Sequence, residues 1–440
     1  MSLPWQALAD AQRCLHWSLE FPEVFENGHQ GFDAVIANPP WEMLRGDLGS
    51  RADRTASKTD IAPLLRFVRR SGLYRQVGGH VNSYQLFLER MLQLVRPAGR
   101  IGCLLPGGML VDHGAAALRR HVFDRAAVDQ LSVFDNRDAL FPIHRSVRIV
   151  AMTGTCGGST DAMLVDDGVL ASKADGTGRE ATPRLLPRTL LRRGSGDLEA
   201  VPWVRDGEEV RLLDHLLAFP RVGGAQWQLR FGRELNATED KALLRDGPIR
   251  DGGLAVVDGK HLQAFSTCPP ETASWISAED AARALPGQRW RQWRLAYRDV
   301  SSPTNMRSLI AALLPPSYVS THTLFCLRTP LALPAQLYLC GMFNSLMADW
   351  FVRRYLGGHV TTGLIANLPV PMVSATDPLR RRVVRLAATL MRAPDDERAL
   401  GELQAVAATL YRLGAGERAI VAADFPRLSP NVRARLLQGD

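Results

Sequence analysis

A short apolar run that ends abruptly at two prolines constrains the fold of this chain more than any other feature. Residues 32–37 (FDAVIA) are apolar and partly β-branched, which is typical of a buried strand in a parallel sheet. Asn38, Pro39, Pro40 and Trp41 follow directly. Consecutive prolines cannot continue a strand ladder, so we predict a strand whose carboxyl end carries an Asn-Pro-Pro-Trp loop.

Strand and helix patterns alternate after this loop. Asn82 and Gln85 form a capping-box pattern at the start of an apolar helix that ends before Pro97. The other predicted elements are a strand at 100–105, a helix at 115–123, and strands at 130–134 and 147–153. This rhythm predicts a parallel, doubly wound sheet, in which ligands lie beyond the carboxyl ends of the strands.

Arginine supplies nearly all of the positive charge. The formal net charge is +8, and only four of the 53 basic residues are lysines, so 49 are arginines. Two explanations stay open: GC-rich codon usage, or a surface that binds phosphate through the bidentate guanidinium.

Composition also excludes several classes of protein. With 46% hydrophobic and 22% charged residues, the chain is not a disordered tail, a collagen-like fibre or a small disulfide scaffold. No apolar run approaches the roughly 18 residues of a membrane helix, and no secretory signal is visible. The six cysteines include no CxxC pair, which favours a reducing cytoplasm and argues against a zinc knuckle, and no metal is expected.

The Asn-Pro-Pro-Trp loop is suited to activating an exocyclic amino group. Such an amine is a poor nucleophile because its lone pair is delocalised into the ring. The Asn38 side-chain oxygen and the Pro39 carbonyl could accept its two N–H bonds and free that lone pair. Trp41 could stack on a base taken out of a duplex. The alternative is an ordinary turn after a strand.

In this context the sequence resembles the catalytic domain of class I, γ-type DNA adenine-N6 methyltransferases of restriction–modification and BREX- or DISARM-like phage-defence systems. The segments that carry the resemblance are FPEVF (21–25), GFDAVIANPPW (31–41), GHVNSYQLFLER (79–90), GRIGCLLPGG (99–108) and ALFPIHRSVRIVAMT (139–153). Three later segments resemble a TaqI-like target-recognition domain: VVDGKHLQAF (256–265), LAYRDVSSPTNMRSLIAALLPP (295–316) and LCGMFNSLMADWFVRRYLGGHVTTGLIANLPVP (339–371).

The resemblance implies an α/β fold with an incomplete Rossmann-like, S-adenosylmethionine-dependent methyltransferase sheet, an α+β target-recognition domain and a helical C-terminal segment. The expected bounds are 1–160 for the catalytic domain, 161–224 for a linker, 225–375 for the recognition domain and 376–440 for the helical segment. Leu337–Tyr355 is predicted to be one apolar helix.

The resemblance also assigns site residues. Asn38 and Pro39 would accept from the target amine, and Trp41, where the family more often has Tyr or Phe, would stack on the base. Pro40 and Phe87 would line the adenine of S-adenosylmethionine, although Phe87 could equally be core. The residues expected to contact the base or DNA are Phe141, Arg298, His359 and Thr361. Strand-end packing stays open for Phe141, and an ordinary surface or capping role for the other three.

One family element is missing before Asn38. The glycine-rich cofactor loop (FxGxG) precedes this point in the γ order, yet none of the 37 residues here forms strand–GxG–helix. The Gly414-Ala415-Gly416 segment follows a helical pattern, which is typical of a helix C-cap or turn. We therefore expect the strand before Asn38 to expose an unpaired apolar edge, which a second polypeptide carrying the cofactor loop would cover.

The expected function is adenine-N6 methylation of double-stranded DNA by this chain and that partner. Alternatives are a catalytically inactive DNA-binding or specificity subunit, a truncated methylase, or methylation of RNA adenine or protein glutamine amides by the same amine chemistry. The recognition-like second half favours DNA. No nuclease core is predicted.

Overall fold

The computed structural model describes residues 15–26, 30–44, 51–76, 81–136, 139, 141–145, 147–169, 183–268, 274–301 and 305–439, with only the backbone described at 51–60 and 167–169. The chain divides into two units. The first comprises Met1–Arg192 with Asp197–Glu199, and the second comprises Arg193–Gly196 with Ala200–Asp440.

The first unit is an α/β unit built on one mixed sheet. Its strands are β1 (Phe32–Ala37), β2 (Val95–Pro106), β3 (Ala126–Phe134), β4 (Ile149–Cys156), β5 (Ala162–Val169) and β6 (Arg184–Pro187). Its helices are α1 (Trp17–Glu20), α2 (Pro22–Phe25), α3 (Arg51–Arg70), α4 (Ser83–Leu94), α5 (Gly108–Val111) and α6 (Ala116–Arg125). The helix α7 (Arg188–Ser195) spans the division between the units.

The strands of this sheet follow the order β1-β2-β4-β3-β5-β6 in the described part of the chain. The pairs β1–β2 and β3–β5 are parallel, whereas β4 is antiparallel to both β2 and β3. The prediction of a wholly parallel sheet is therefore wrong. The residues described between β3 and β4 include no helix, and a strand that returns without a crossover runs antiparallel.

Strand β1 lies at the edge of the sheet, and among the described residues it pairs with β2 alone. None of its six residues is buried, and the Ile36 side chain is 86% exposed. The expectation of a buried strand is wrong, because the edge position leaves β1 open to solvent. The expected unpaired apolar edge is present in the described residues.

An aromatic cluster anchors the beginning of β1. The rings of Trp17, Phe21 and Phe25 surround Phe32, with ring centroids 5.5–5.7 Å from that of Phe32. Trp17 belongs to α1, Phe25 to α2, and Phe21 is the residue between the two helices. The FPEVF segment therefore packs against the strand that leads to the Asn-Pro-Pro-Trp loop.

Helix α4 begins with the predicted capping box. The Asn82 side chain accepts from the Tyr84 N–H, and the Gln85 side chain accepts from the Asn82 N–H at 3.1 Å. The helix ends at Leu94, whose carbonyl lies against Gly31. A Cβ on Gly31 would lie 2.3 Å from that carbonyl oxygen, so only glycine allows the chain to enter β1 here.

Two segments differ from the predicted loops. The polar stretch predicted from Arg45 to Lys58 falls partly outside the described residues, and the remainder belongs to helix α3. The predicted linker 161–224 contains strands β5 and β6, helix α7 and a helix, α8 (Gly207–Leu216). Its central part, 170–182, lies outside the described residues. Strands β5 and β6 extend the sheet of the first unit because their backbone groups pair with β3 and with each other.

The second unit combines small sheets with helices. Its strands are β7 (Phe231–Gly232), β8 (Gly253–Val257), β9 (Leu262–Gln263), β10 (Ser266–Thr267), β11 (Trp275–Ser277), β12 (Arg294–Arg298), β13 (Ala311–Leu314), β14 (Tyr318–Ser320) and β15 (Leu324–Leu327). Its helices after α8 are α9 (Ala278–Ala284), α10 (Leu333–Phe343), α11 (Leu346–Tyr355), α12 (Thr362–Ala366), α13 (Pro378–Arg392), α14 (Glu397–Leu410), α15 (Ala415–Ala423) and α16 (Pro430–Gln438). The prediction of a helical C-terminal segment is confirmed.

Two details of the second unit correct the sequence predictions. The apolar stretch Leu337–Tyr355 is two helices, because Ser345 caps α11 and interrupts the helical path. Gly414 is the N-cap of α15 and so begins a helix; the prediction that it ends one is wrong.

In the part of the chain that is described, no helix is both long enough and apolar enough to cross a membrane.

Candidate active site

The Asn-Pro-Pro-Trp loop leaves the sheet at the carboxyl end of β1. Asn38 and Pro40 are exposed, Pro39 is buried and Trp41 is half-buried. The Trp41 indole N–H donates to the carbonyl oxygen of Leu104 near the end of β2, at 3.4 Å. The loop therefore folds over the end of β2 and leaves the Asn38 side chain at the surface.

The start of helix α4 braces the far end of this loop. The Asn82 amide donates to the Trp41 carbonyl at 3.3 Å, and the Ser83 N–H donates to the Glu42 carbonyl at 2.9 Å. Residues 43 and 82 also form a β-bridge. Since Asn82 is both the helix cap and a loop contact, one residue couples the geometry of the loop to that of the helix.

Cys103 is the β2 residue in register with Ala37, directly before Asn38. Burial raises the pKa of the Cys103 thiol to about 12. The thiol is therefore protonated at neutral pH, and a thiolate nucleophile is not supplied by this residue.

Phe87, one of the two residues expected to line the cofactor, is 49% exposed on helix α4. The alternative that Phe87 belongs to the core is therefore wrong. Pro40 is exposed as well. An open aromatic face on a helix tied to the loop is suited to packing against an adenine ring, so these two residues fit the cofactor expected for them.

Asn136 is a buried residue that sequence reasoning missed. It follows β3 and is fully buried, and its side-chain oxygen accepts from the Phe141 N–H at 2.8 Å. Its amide N–H groups donate to the carbonyls of Phe141 and Ile143, both at 3.2 Å. Phe141 itself is half-buried. Asn136 therefore holds the segment that carries Phe141, and the available signal was an asparagine directly after a strand and before a turn.

The residues expected to contact DNA in the second unit occupy two neighbouring segments. Arg298 is the last residue of β12, and the following residues form a bridge between Val300 and His359. The His359 ring nitrogen Nδ1 lies 3.2 Å from the Asp299 carboxylate. Thr361 accepts from the Leu364 N–H as the N-cap of α12, which confirms the capping role left open for it.

Residues 5–141 match the family model described as Eco57I restriction-modification methylase. The matched residues include the loop at the end of β1, helix α4 and Phe141. The first unit therefore contains a segment that matches a family of restriction-modification methylases. No curated protein matches the chain.

Solved structures of restriction-modification enzymes are similar to most of the chain. The type IIL enzyme MmeI in complex with DNA has 10% identity and a TM-score of 0.49, covering 97% of this chain and 59% of that one. The type IIG restriction endonuclease BpuSI has 12% identity and a TM-score of 0.35, covering 92% and 54%. A nuclease-deletion mutant of the type ISP enzyme LlaGI with a DNA substrate mimic has 11% identity and a TM-score of 0.44, covering 83% and 42%. The chain thus spans about half the length of these proteins.

Proposed function

We propose that this chain is the base-binding and DNA-binding part of an S-adenosylmethionine-dependent DNA methyltransferase that methylates adenine N6. It would act in a restriction–modification or phage-defence system in the cytoplasm. The observation that carries the proposal is the placement of the Asn-Pro-Pro-Trp loop, with an exposed Asn38 at the carboxyl end of β1 and Trp41 fixed to β2. The methylase family match over residues 5–141 supports it.

The loop would act on an adenine rotated out of the duplex. The Asn38 side-chain oxygen and the Pro39 carbonyl would accept the two N6–H bonds, which draws the nitrogen toward tetrahedral geometry and exposes its lone pair. Trp41 would pack on the base, with Phe141 on the opposite side. When bound, S-adenosylmethionine supplies the electrophilic methyl group. The N6 nitrogen would gain that methyl group as the bond from the methyl carbon to the sulfonium sulfur breaks and S-adenosylhomocysteine leaves. It would then lose one proton to solvent, so the loop itself would need no charged base.

A second polypeptide would complete the sheet. Among the described residues, β2 is the sole strand that pairs with β1, which leaves the backbone N–H and C=O groups on the other side of β1 without a strand partner there, and Ile36 is exposed beside them. Such an edge is a template for a further strand. A partner that adds a parallel strand and its glycine-rich loop would place the cofactor loop next to Pro40 and Phe87. The partner would also cover Ile36.

Methyl transfer from labelled S-adenosylmethionine to duplex DNA tests this proposal. We expect transfer when the chain is combined with the product of the neighbouring reading frame. Asn38→Ala should abolish transfer while DNA binding stays nearly intact, because Asn38 contacts only the reacting amine. Asn431→Ala, which changes an exposed asparagine near the start of α16, is the matched control and should keep full transfer. Transfer that survives Asn38→Ala would contradict the assignment.

The requirement for a partner is tested separately. Calorimetry with S-adenosylmethionine should detect no micromolar binding to the chain alone and clear binding to the assembled pair. Micromolar binding by the chain alone would mean that no partner supplies the cofactor loop. DNA binding without any transfer by the pair would favour a catalytically inactive specificity subunit.

A further inference from the structure

Three arginines surround the edge strand β7 in the second unit. Strand β7 ends the sheet β13-β12-β15-β7, with Arg230 directly before it and Arg233 directly after it. Arg328 follows the neighbouring strand β15, and its N–H donates to the Arg230 carbonyl at 2.7 Å. We call Arg230, Arg233 and Arg328 the arginine edge.

Arg233 is held in place by a buried carboxylate. The Asp299 side chain is only 5% exposed, and it accepts from the Arg233 guanidinium at 2.8 Å. The guanidinium also lies over the Phe325 ring, 4.9 Å from its centroid. Although burial alone would raise the pKa of Asp299, its hydrogen bonds and charge interactions with His359 and Arg233 hold it below the usual value. Asp299 is therefore ionised, and it orients a side chain that is still 50% exposed.

Arg328 is placed by a glycine. Its guanidinium donates to the Arg233 carbonyl, and its side chain lies over the backbone of Gly232. A Cβ at Gly232 would lie 3.0 Å from the Arg328 Nε, which is tighter than almost all contacts of this kind. The missing side chain at Gly232 thus lets Arg328 lie against β7.

The arginine edge has more positive charge than its surroundings neutralise. Within the described residues, neither Arg230 nor Arg328 forms an ion pair, and Arg233 has one with Asp299. One of the five N–H donors of Arg233 forms a hydrogen bond to that carboxylate, and half of the Arg233 side chain is exposed to solvent. A guanidinium that is hydrogen-bonded to the protein on one side and exposed to solvent on the other is preorganised to bind an external anion.

We propose that the arginine edge binds the phosphate backbone of double-stranded DNA. The inference rests on the proposed function, in which this unit binds the duplex that contains the target adenine. Arginine forks match phosphate oxygens bidentately, and phosphate contacts fix the position of a protein on the duplex without reading its sequence. Asp299 acts as a positioning residue because it contacts Arg233 and not the DNA.

The salt dependence of DNA affinity tests this site. Fluorescence anisotropy is measured with the full chain on two duplexes of unrelated sequence, over a series of NaCl concentrations. The slope of log affinity against log salt is negative, and Arg233→Gln and Arg230→Gln should each make it less negative by about 0.9. This change corresponds to about eightfold weaker binding near 0.1 M salt. The double variant should change the slope about twice as much. The loss should be equal on both duplexes.

Arg283→Gln is the matched control, because it removes an exposed arginine of the same unit that is paired with Glu279 at 3.0 Å. It should keep the wild-type slope. A double variant with a wild-type slope, an equal loss in Arg283→Gln, or a wild-type chain that binds no DNA would overturn the inference. Since Arg230 is a surface residue, Arg230→Gln is informative even if Arg233→Gln proves unstable. DNA binding with the expected slopes, but no methyl transfer by the chain combined with its partner, would leave this inference standing and contradict the proposed function.

Discussion

Single side chains fix the two loops that flank the proposed base site. Trp41 ties the first loop to β2, and Asn136 ties the second to the end of β3. Asparagine is well suited to this role because one amide supplies both an acceptor and two donors. Hydrophobic pattern cannot reveal such a residue, since a buried asparagine looks like any polar residue at the end of a strand. The position of Asn38 and Trp41 directly after a strand, by contrast, could be predicted from residue order, whereas their roles stay predictions.

The hydrogen bonds of Asn136 predict a measurable loss of stability. Asn136→Ala removes the amide that bonds the Phe141 N–H and the Ile143 carbonyl, whereas the Phe141 carbonyl still accepts from the Ile143 N–H at 2.8 Å. We expect the free energy of unfolding to fall by about 1–3 kcal/mol, measured by urea denaturation. Phe141→Ala is the control and should cost less, because Phe141 is already half-exposed. Equal stability of Asn136→Ala and the wild type would show that water replaces these bonds.

At the scale of secondary-structure elements, β1 shows what a sequence pattern leaves open. The run FDAVIA predicted a strand, its length and its end correctly. It could not predict burial, because an apolar run has the same pattern whether the strand lies inside a sheet or at its edge. The mixed direction of the sheet was missed for a similar reason, since β4 has an apolar pattern that fits either direction.

The open edge of β1 predicts a variant that separates folding from assembly. Ile36→Glu should change the unfolding free energy of the chain alone by no more than about 0.5 kcal/mol, because the side chain is exposed. It should abolish association with the partner, since burying an unpaired carboxylate is costly. Thermal melts of the chain and sedimentation of the mixed pair provide the two measurements.

Leu185→Glu is the matched control for Ile36→Glu. Leu185 is an exposed leucine on β6, at the opposite end of the same sheet. This variant adds the same charge to an edge strand and should leave association unchanged. Association that survives Ile36→Glu, or that is lost equally in both variants, would contradict the placement of the partner on β1.

Across the whole molecule, charge could be counted from the sequence but not placed. Arg294 is fully buried against Glu234, although nothing around it in the sequence distinguishes it from an exposed arginine such as Arg230. The three residues of the arginine edge, Arg230, Arg233 and Arg328, likewise have no distinguishing pattern around them in the sequence. Long-range contacts decide which arginines face solvent, because a buried guanidinium needs acceptors that can be distant in sequence: a carboxylate for Arg294, and backbone carbonyls for Arg119. The helical C-terminal segment was predictable, since its periodicity is local.

The buried pair of Glu234 and Arg294 predicts how stability depends on pH. Burial alone would raise the pKa of Glu234. The charge of Arg294 and the hydrogen bonds from Arg294 and Ser320 outweigh burial and hold this pKa below its ordinary value of 4.5. At a pH between the pKa of Glu234 in the folded state and 4.5, the unfolded chain binds more protons than the folded chain. The stabilisation that ionised Glu234 gives to the folded state is therefore fully present above pH 4.5, and it is lost as the pH falls through the folded-state pKa. Glu234→Gln should cost about 3–5 kcal/mol at pH 7.

The difference between Glu234→Gln and the wild type should shrink in acid, because protonation of Glu234 removes the same charge that the substitution removes. Urea midpoints measured from neutral pH down to acid conditions would show the two curves converging. Glu279→Gln, which changes an exposed partner of Arg283, should follow the wild-type curve at every pH, since an exposed pair contributes about 0–1 kcal/mol. A constant difference between Glu234→Gln and the wild type at all pH values would mean that Glu234 stabilises the unit by its shape and hydrogen bonds, and that its charge contributes nothing.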